Sequence, residues 1–110
     1  MRSLLIIAML TTTASAEQKT FTGKQLLAYC TSESASIEDI SCGFYITGFV
    51  HGLASAKEEL VCLPKGGISG EEGRAIFVRM MRTTFKEYPI DVEVNAALVA
   101  SLALQFPCKK

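Results

Sequence analysis

The sequence predicts an all-α fold, a small disulfide-linked helical domain of about four helices, on three observations. Apolar residues recur every three or four positions through four segments, which is helical rather than strand periodicity. Small polar residues stand ahead of these segments as capping signals, and proline follows the last three. Four cysteines in a chain of 110 residues supply two crosslinks.

The elements follow in order. Thr22 and Gln25 have the spacing of a capping box, opening a short helix that runs to about Cys30. Residues 31–34 are polar and break the pattern. Ser36, with Asp39 three residues on, opens a central helix expected to continue to about Val61, with Lys57, Glu58 and Glu59 as its solvated end. Ser69 and Glu72 form a second S-x-x-E signal. From there Ile76, Phe77, Met80, Met81, Phe85 and Tyr88 repeat at helical spacing until Pro89. Asp91 can cap a fourth helix, marked by Val94, Leu98, Ser101, Leu102 and Gln105 on one side and closed by Pro107. The valines at 92 and 94 leave a strand open for residues 90–94, and the alanine-rich continuation favours helix.

The central helix has two kinds of face. Phe44, Tyr45, Phe49 and Leu53 recur about every fourth residue and are expected in the core, whereas Ser41, Gly48, Gly52 and Ser55 leave a shallow strip. Glycine within a helix costs roughly 1 kcal/mol relative to alanine, so Gly43, Gly48 and Gly52 imply that something packs closely there. Another helix of the same chain is the expected cover, and a second copy in a homodimer is the alternative.

The first 16 residues read as an address. Met1 and Arg2 give a positive start, Leu4 to Leu10 an apolar run, and Ala14-Ser15-Ala16 a small-x-small cleavage site, so the mature domain is expected to span residues 17–110 in the periplasm. The run is too short for the ~20 residues that cross a bilayer as a helix, and no membrane association is expected after cleavage. The whole chain balances 11 basic against 11 acidic residues, and removing Arg2 with the leader leaves net −1. With no Lys/Arg cluster, the electrostatic footprint of a nucleic-acid binder is missing.

Four cysteines in a small exported domain allow three pairings. Cys42 and Cys62 lie twenty positions apart along one helix or its exit, about 30 Å at 1.5 Å per residue, and cannot meet. Cys30 closes the first helix near the start of the second, so it should pair with Cys42. Cys62 then pairs with Cys108, which alternating helix directions bring to the same end. These bridges close loops of 12 and 46 residues and contribute roughly 3 and roughly 4 kcal/mol on the chain-entropy account.

No catalytic constellation, metal site or cofactor signature emerges. Zinc sites usually show close cysteine pairs, and His51 stands alone on the central helix as an ordinary helix residue. There is no nucleophile elbow, and Lys65-Gly66-Gly67 lacks the spacing of a phosphate-binding loop. Glu58/Glu59 and Glu71/Glu72 are adjacent pairs that do not face each other on a helix. The sequence therefore points away from an enzyme.

The succession Gly23-x-x-Leu26-Leu27-x-x-Cys30, Cys42-Gly43-x-Tyr45-Ile46-x-Gly48, Cys62-Leu63-Pro64, Pro89 and Phe106-Pro107-Cys108 resembles the Rap1a/Tai immunity-protein family over residues 21–108. That resemblance implies a periplasmic, largely helical, often dimeric protein that blocks a peptidoglycan amidase delivered by a type VI secretion system. The motif residues themselves are structural: cysteines bridge, glycines pack and prolines end helices. The alternative class is a periplasmic binding or chaperone-like helical module with no immunity role.

A partner-binding segment is expected at Leu63, Pro64, Lys65, Gly66 and Gly67, an irregular loop held at its root by the Cys62 bridge and carrying one cation. The turn from Tyr88 to Asp91 is a second candidate surface.

Overall fold

The computed structural model describes residues 20–56, 60–86 and 92–109. The leader, Glu17, the Lys57–Glu59 stretch and the Tyr88–Asp91 surface lie outside the described residues. Four helices are present among them: α1 (Gly23–Cys30), α2 (Ile37–Ser55), α3 (Gly70–Arg82) and α4 (Val94–Gln105).

Each N-terminus is closed by the chemistry its residues supply. Thr22 and Gln25 form the full capping box of α1, Ser36 accepts from the Asp39 amide of α2, and Ser69 accepts from the Glu72 amide of α3. These side-chain oxygens satisfy amides that have no partner within the helix. The cap of α4 is not Asp91 but Glu93, whose Oε1 accepts from the Ala96 amide at 3.1 Å. Residues 20–22 and 92–93 run antiparallel for one bridge, Thr22 to Glu93, so α1 and α4 begin side by side. Val94 is the first residue of the helix and Glu93 makes only an isolated bridge, so residues 92–94 form no strand, while residues 90 and 91 lie outside the described residues.

Two helices end sooner than their periodicity suggests. α2 stops at Ser55, with Ala56 already extended, and does not reach Val61. The reason is tertiary: Val61 is buried and the Cys62 amide bonds the Phe106 carbonyl at 2.9 Å, so the chain must leave the helix axis to meet the C-terminal segment. α3 stops at Arg82, where the Thr83 hydroxyl donates to the Arg79 carbonyl and the chain turns through residues 83–86.

α2 and α4 each pack against α1 and α3, and one hydrogen bond, from the Tyr45 hydroxyl to Asn95 Oδ1 at 2.7 Å, joins them to each other. The core is centred on Phe77, Leu26, Ile46, Leu98 and Leu102, all fully buried. Ser101, buried among them, donates to the Ala97 carbonyl at 2.8 Å, so its hydroxyl is satisfied within α4. Cys30 is bonded to Cys42 with Cα atoms 5.1 Å apart, and Cys62 to Cys108 at 5.0 Å, the two pairs expected.

The closest helix contact is not the one expected. Gly43, Gly48 and Gly52 of α2 would admit a Cβ with nothing within 4 Å. Gly48, Gly52 and Ser55 are exposed and Ser41 is half-buried, so none of the described helices covers the small-residue strip. The close approaches fall instead on Gly23 of α1, where a Cβ would stand 2.7 Å from Ala97 Cβ of α4, and, against α2, on Gly70 and Gly73 of α3. A Cβ on Gly73 would stand 2.9 Å from Val50 Cγ1, and one on Gly70 would stand 3.1 Å from the Thr47 Cα. Phe44 is likewise not a core residue: it is 77% exposed, while Tyr45, Phe49 and Leu53 are half-buried against the core.

Candidate functional site

The loop between α2 and α3 is anchored at both ends by burial and once by covalency. Val61 and Ile68 enter the core on either side of it, and Cys62 is bonded to Cys108. Between these anchors the Gly67 amide donates to the Pro64 carbonyl at 2.8 Å, closing a four-residue turn. Gly66 and Gly67 have φ of +87° and +80°, a conformation that glycine adopts without steric penalty.

This geometry divides the five predicted binding residues. Pro64, Lys65 and Gly66 are exposed and form the tip. Leu63 is half-buried and packs against the core, and Gly67 is half-buried with Ala54 of α2 beside it, 3.5 Å from the position of a Cβ. The tip thus presents a cation on a rigid proline-glycine turn, with Leu63 and Gly67 acting as its footing. All four cysteines are in disulfides, so none is available as a nucleophile or metal ligand. His51 is exposed on α2.

A polar clasp supports the other end of α2. Arg74 of α3 donates to the Cys30 carbonyl at 2.9 Å and also to Asp39 Oδ1. The second oxygen of Asp39 accepts from the Ala35 amide at 2.8 Å, which holds Ala35 at a φ of +69°. The guanidinium hydrogen bond, and after it the Ala35 amide, lower the Asp39 pKa below its ordinary value.

One surface escaped sequence reasoning. Ile37 (80% exposed), Ile40 (49%) and Phe44 stand on one side of α2. Beside Phe44 lies an open groove of about 270 Å³ between α2 and α3, floored by Gly43 and Gly70 and lined by Ile40, Thr47, Glu71 and Arg74. The signal was present as a second apolar stripe, Ile37-Ile40-Phe44, beside the buried stripe Cys42-Ile46-Val50.

Fold and surface together define a small, disulfide-bridged helical module with an anchored loop and an exposed apolar face on α2. The sequence matches the family described as Rap1a immunity proteins over residues 22–108. The chain therefore belongs to the Rap1a immunity protein family. No curated protein and no solved structure matches it. No helix among the described residues is long and apolar enough to cross a membrane.

Proposed function

We propose that this protein is a periplasmic immunity protein that binds and inhibits a peptidoglycan amidase delivered by a type VI secretion system. Membership of the Rap1a immunity family is the observation that carries this reading. The leader-like residues 1–16 support export, and the paired cysteines suit an oxidising compartment. Inhibition requires occlusion of the effector, not chemistry by the immunity protein.

The tip Pro64-Lys65-Gly66 is the proposed plug for the amidase cleft. A loop anchored by Val61, Ile68 and the Cys62–Cys108 bridge loses less conformational entropy on docking than a free one, so more of its contact energy appears as affinity. Lys65 at its apex is placed to meet an acidic or carbonyl-lined cleft.

The test begins with a pull-down from periplasm and from competitor lysate, followed by muropeptide hydrolysis assays on the captured amidase. Wild-type protein should abolish hydrolysis, and Lys65→Glu and Gly66→Trp should each weaken inhibition at least tenfold. Failure to capture an amidase removes the immunity reading. Equal inhibition by all three proteins removes the loop and leaves the function standing.

A further inference from the structure

We infer that the groove beside Phe44 is a second anchor point for the amidase, taking an aromatic or branched aliphatic side chain of the enzyme while the loop tip enters the cleft. The inference rests on the immunity reading and extends the loop site along the seam between α2 and α3. Specific complexes engage ~20–30 residues and about 800 Å² of each partner, so most of the contact must lie beside the three tip residues Pro64, Lys65 and Gly66. The tip is too small to hold an enzyme by itself.

The seam leads from loop to groove without a break. Gly67 at the foot of the loop sits beside Ala54 of α2, Gly70 at the start of α3 sits against Thr47, and Thr47 and Gly70 both line the groove. From Ala54 to Phe44 is ten residues, about 15 Å along α2 at 1.5 Å per residue. A patch of about 800 Å² is roughly 30 Å across, so a partner seated on the tip also covers the groove. One enzyme spans both.

The groove has the build of an anchor pocket. Its volume is about 270 Å³, and a cavity of ~150 Å³ already holds benzene. Gly43 and Gly70 leave the floor open, Ile40 and Phe44 supply apolar walls, and Glu71 and Arg74 stand at the edge, which is the apolar centre and polar rim of an interface. Arg74 is already held by Asp39 and the Cys30 carbonyl, so that edge is fixed before a partner arrives. Around the groove, Ile37, Ile40 and Phe44 expose on the order of 400 Å² of mostly apolar surface, about half of what one partner contributes to a specific complex. The groove and the tip together approach the area that the tip lacks.

Titration calorimetry of the captured amidase against each variant tests this, with circular dichroism and sedimentation velocity on each variant alone. Gly43→Leu fills the groove from its floor, where a Cβ meets nothing within 4 Å, and Phe44→Ser removes a wall. Each should weaken amidase binding at least tenfold while remaining helical. Leu104→Ser, at an exposed apolar position on α4 outside the groove, should bind as wild type does. If Phe44→Ser does not fold, Gly43→Leu decides, since leucine favours helix over glycine. Two groove variants that bind as tightly as wild type overturn the inference and leave the immunity reading standing, whereas a wild-type protein that binds no amidase overturns both. An equal loss on Leu104→Ser also overturns it, because the effect would then follow surface hydrophobicity in general. A change in the sedimentation of either groove variant alone assigns the face to a second copy and overturns the inference as well.

Discussion

Gly73 of α3 lies so close to Val50 of α2 that a methyl group on it would stand 2.9 Å from Val50 Cγ1 and 3.1 Å from Ile46 Cγ2. Both neighbours are buried and cannot swing away. Gly48, on the exposed strip of α2 with Gly52 and Ser55, has open space around it instead.

The two glycines should therefore respond in opposite directions. Gly73→Ala should destabilise by about 1–3 kcal/mol, the usual range for overpacking a close contact, despite alanine's better helix propensity. Gly48→Ala should stabilise the monomer by roughly 0.5–1 kcal/mol. Urea denaturation at low protein concentration measures both, and equal signs would show that the α2–α3 contact is misplaced.

The clasp between Arg74 and Asp39 predicts an acid-sensitive increment of stability. Because the folded-state pKa of Asp39 is lowered, its contribution is present above the unfolded carboxylate value of about 3.9 and is lost as pH falls through the lower folded value. Asp39→Asn should thus be less stable than wild type at pH 6, with the gap narrowing as pH falls below about 4. Denaturant midpoints across that range provide the check. Both side chains are partly exposed, so added salt should also narrow the gap.

The disulfides should differ in access. Cys30 and Cys42 are buried, whereas Cys62 is exposed and Cys108 half-buried. Mild reduction of the folded protein followed by alkylation and peptide mapping should label Cys62 and Cys108 first. Replacing both Cys62 and Cys108 by serine should remove up to roughly 4 kcal/mol through the longer loop they close. Earlier labelling of Cys30 or Cys42 would contradict the burial pattern.

Tyr45 links α2 to α4 through Asn95, and its pKa is raised, first by burial and then by the charge on Glu93. Its neutral form is the one the fold favours. Tyr45→Phe should lower stability by about 0.5–1.5 kcal/mol at neutral pH. In wild type the tyrosine contribution should be intact below the ordinary value near 10 and decline as pH rises through the higher folded value. Difference absorbance on alkaline titration, compared between the two proteins, reads the shift directly.

How far the sequence could be read differs from element to element. Thr22, Ser36 and Ser69 announced three helix starts because capping is a local hydrogen bond between residues three apart. The loop at 62–68 was legible for the same reason, since proline and paired glycines exclude regular structure within a few residues. That Leu63 would turn inward while Lys65 stays outside was not legible, because it depends on the core beneath the loop.

Sequence alone thus determined the helical class, the three local caps and, through the family pattern, the kind of protein this is. Tertiary structure alone decided where α2 ends and which of its faces is buried. α2 is apolar on nearly every side, so its own periodicity cannot rank one stripe above another. The choice falls to α3, whose glycines at 70 and 73 let Thr47 and Val50 come close. That contact turns Ile46 into the core and leaves Phe44 facing outward.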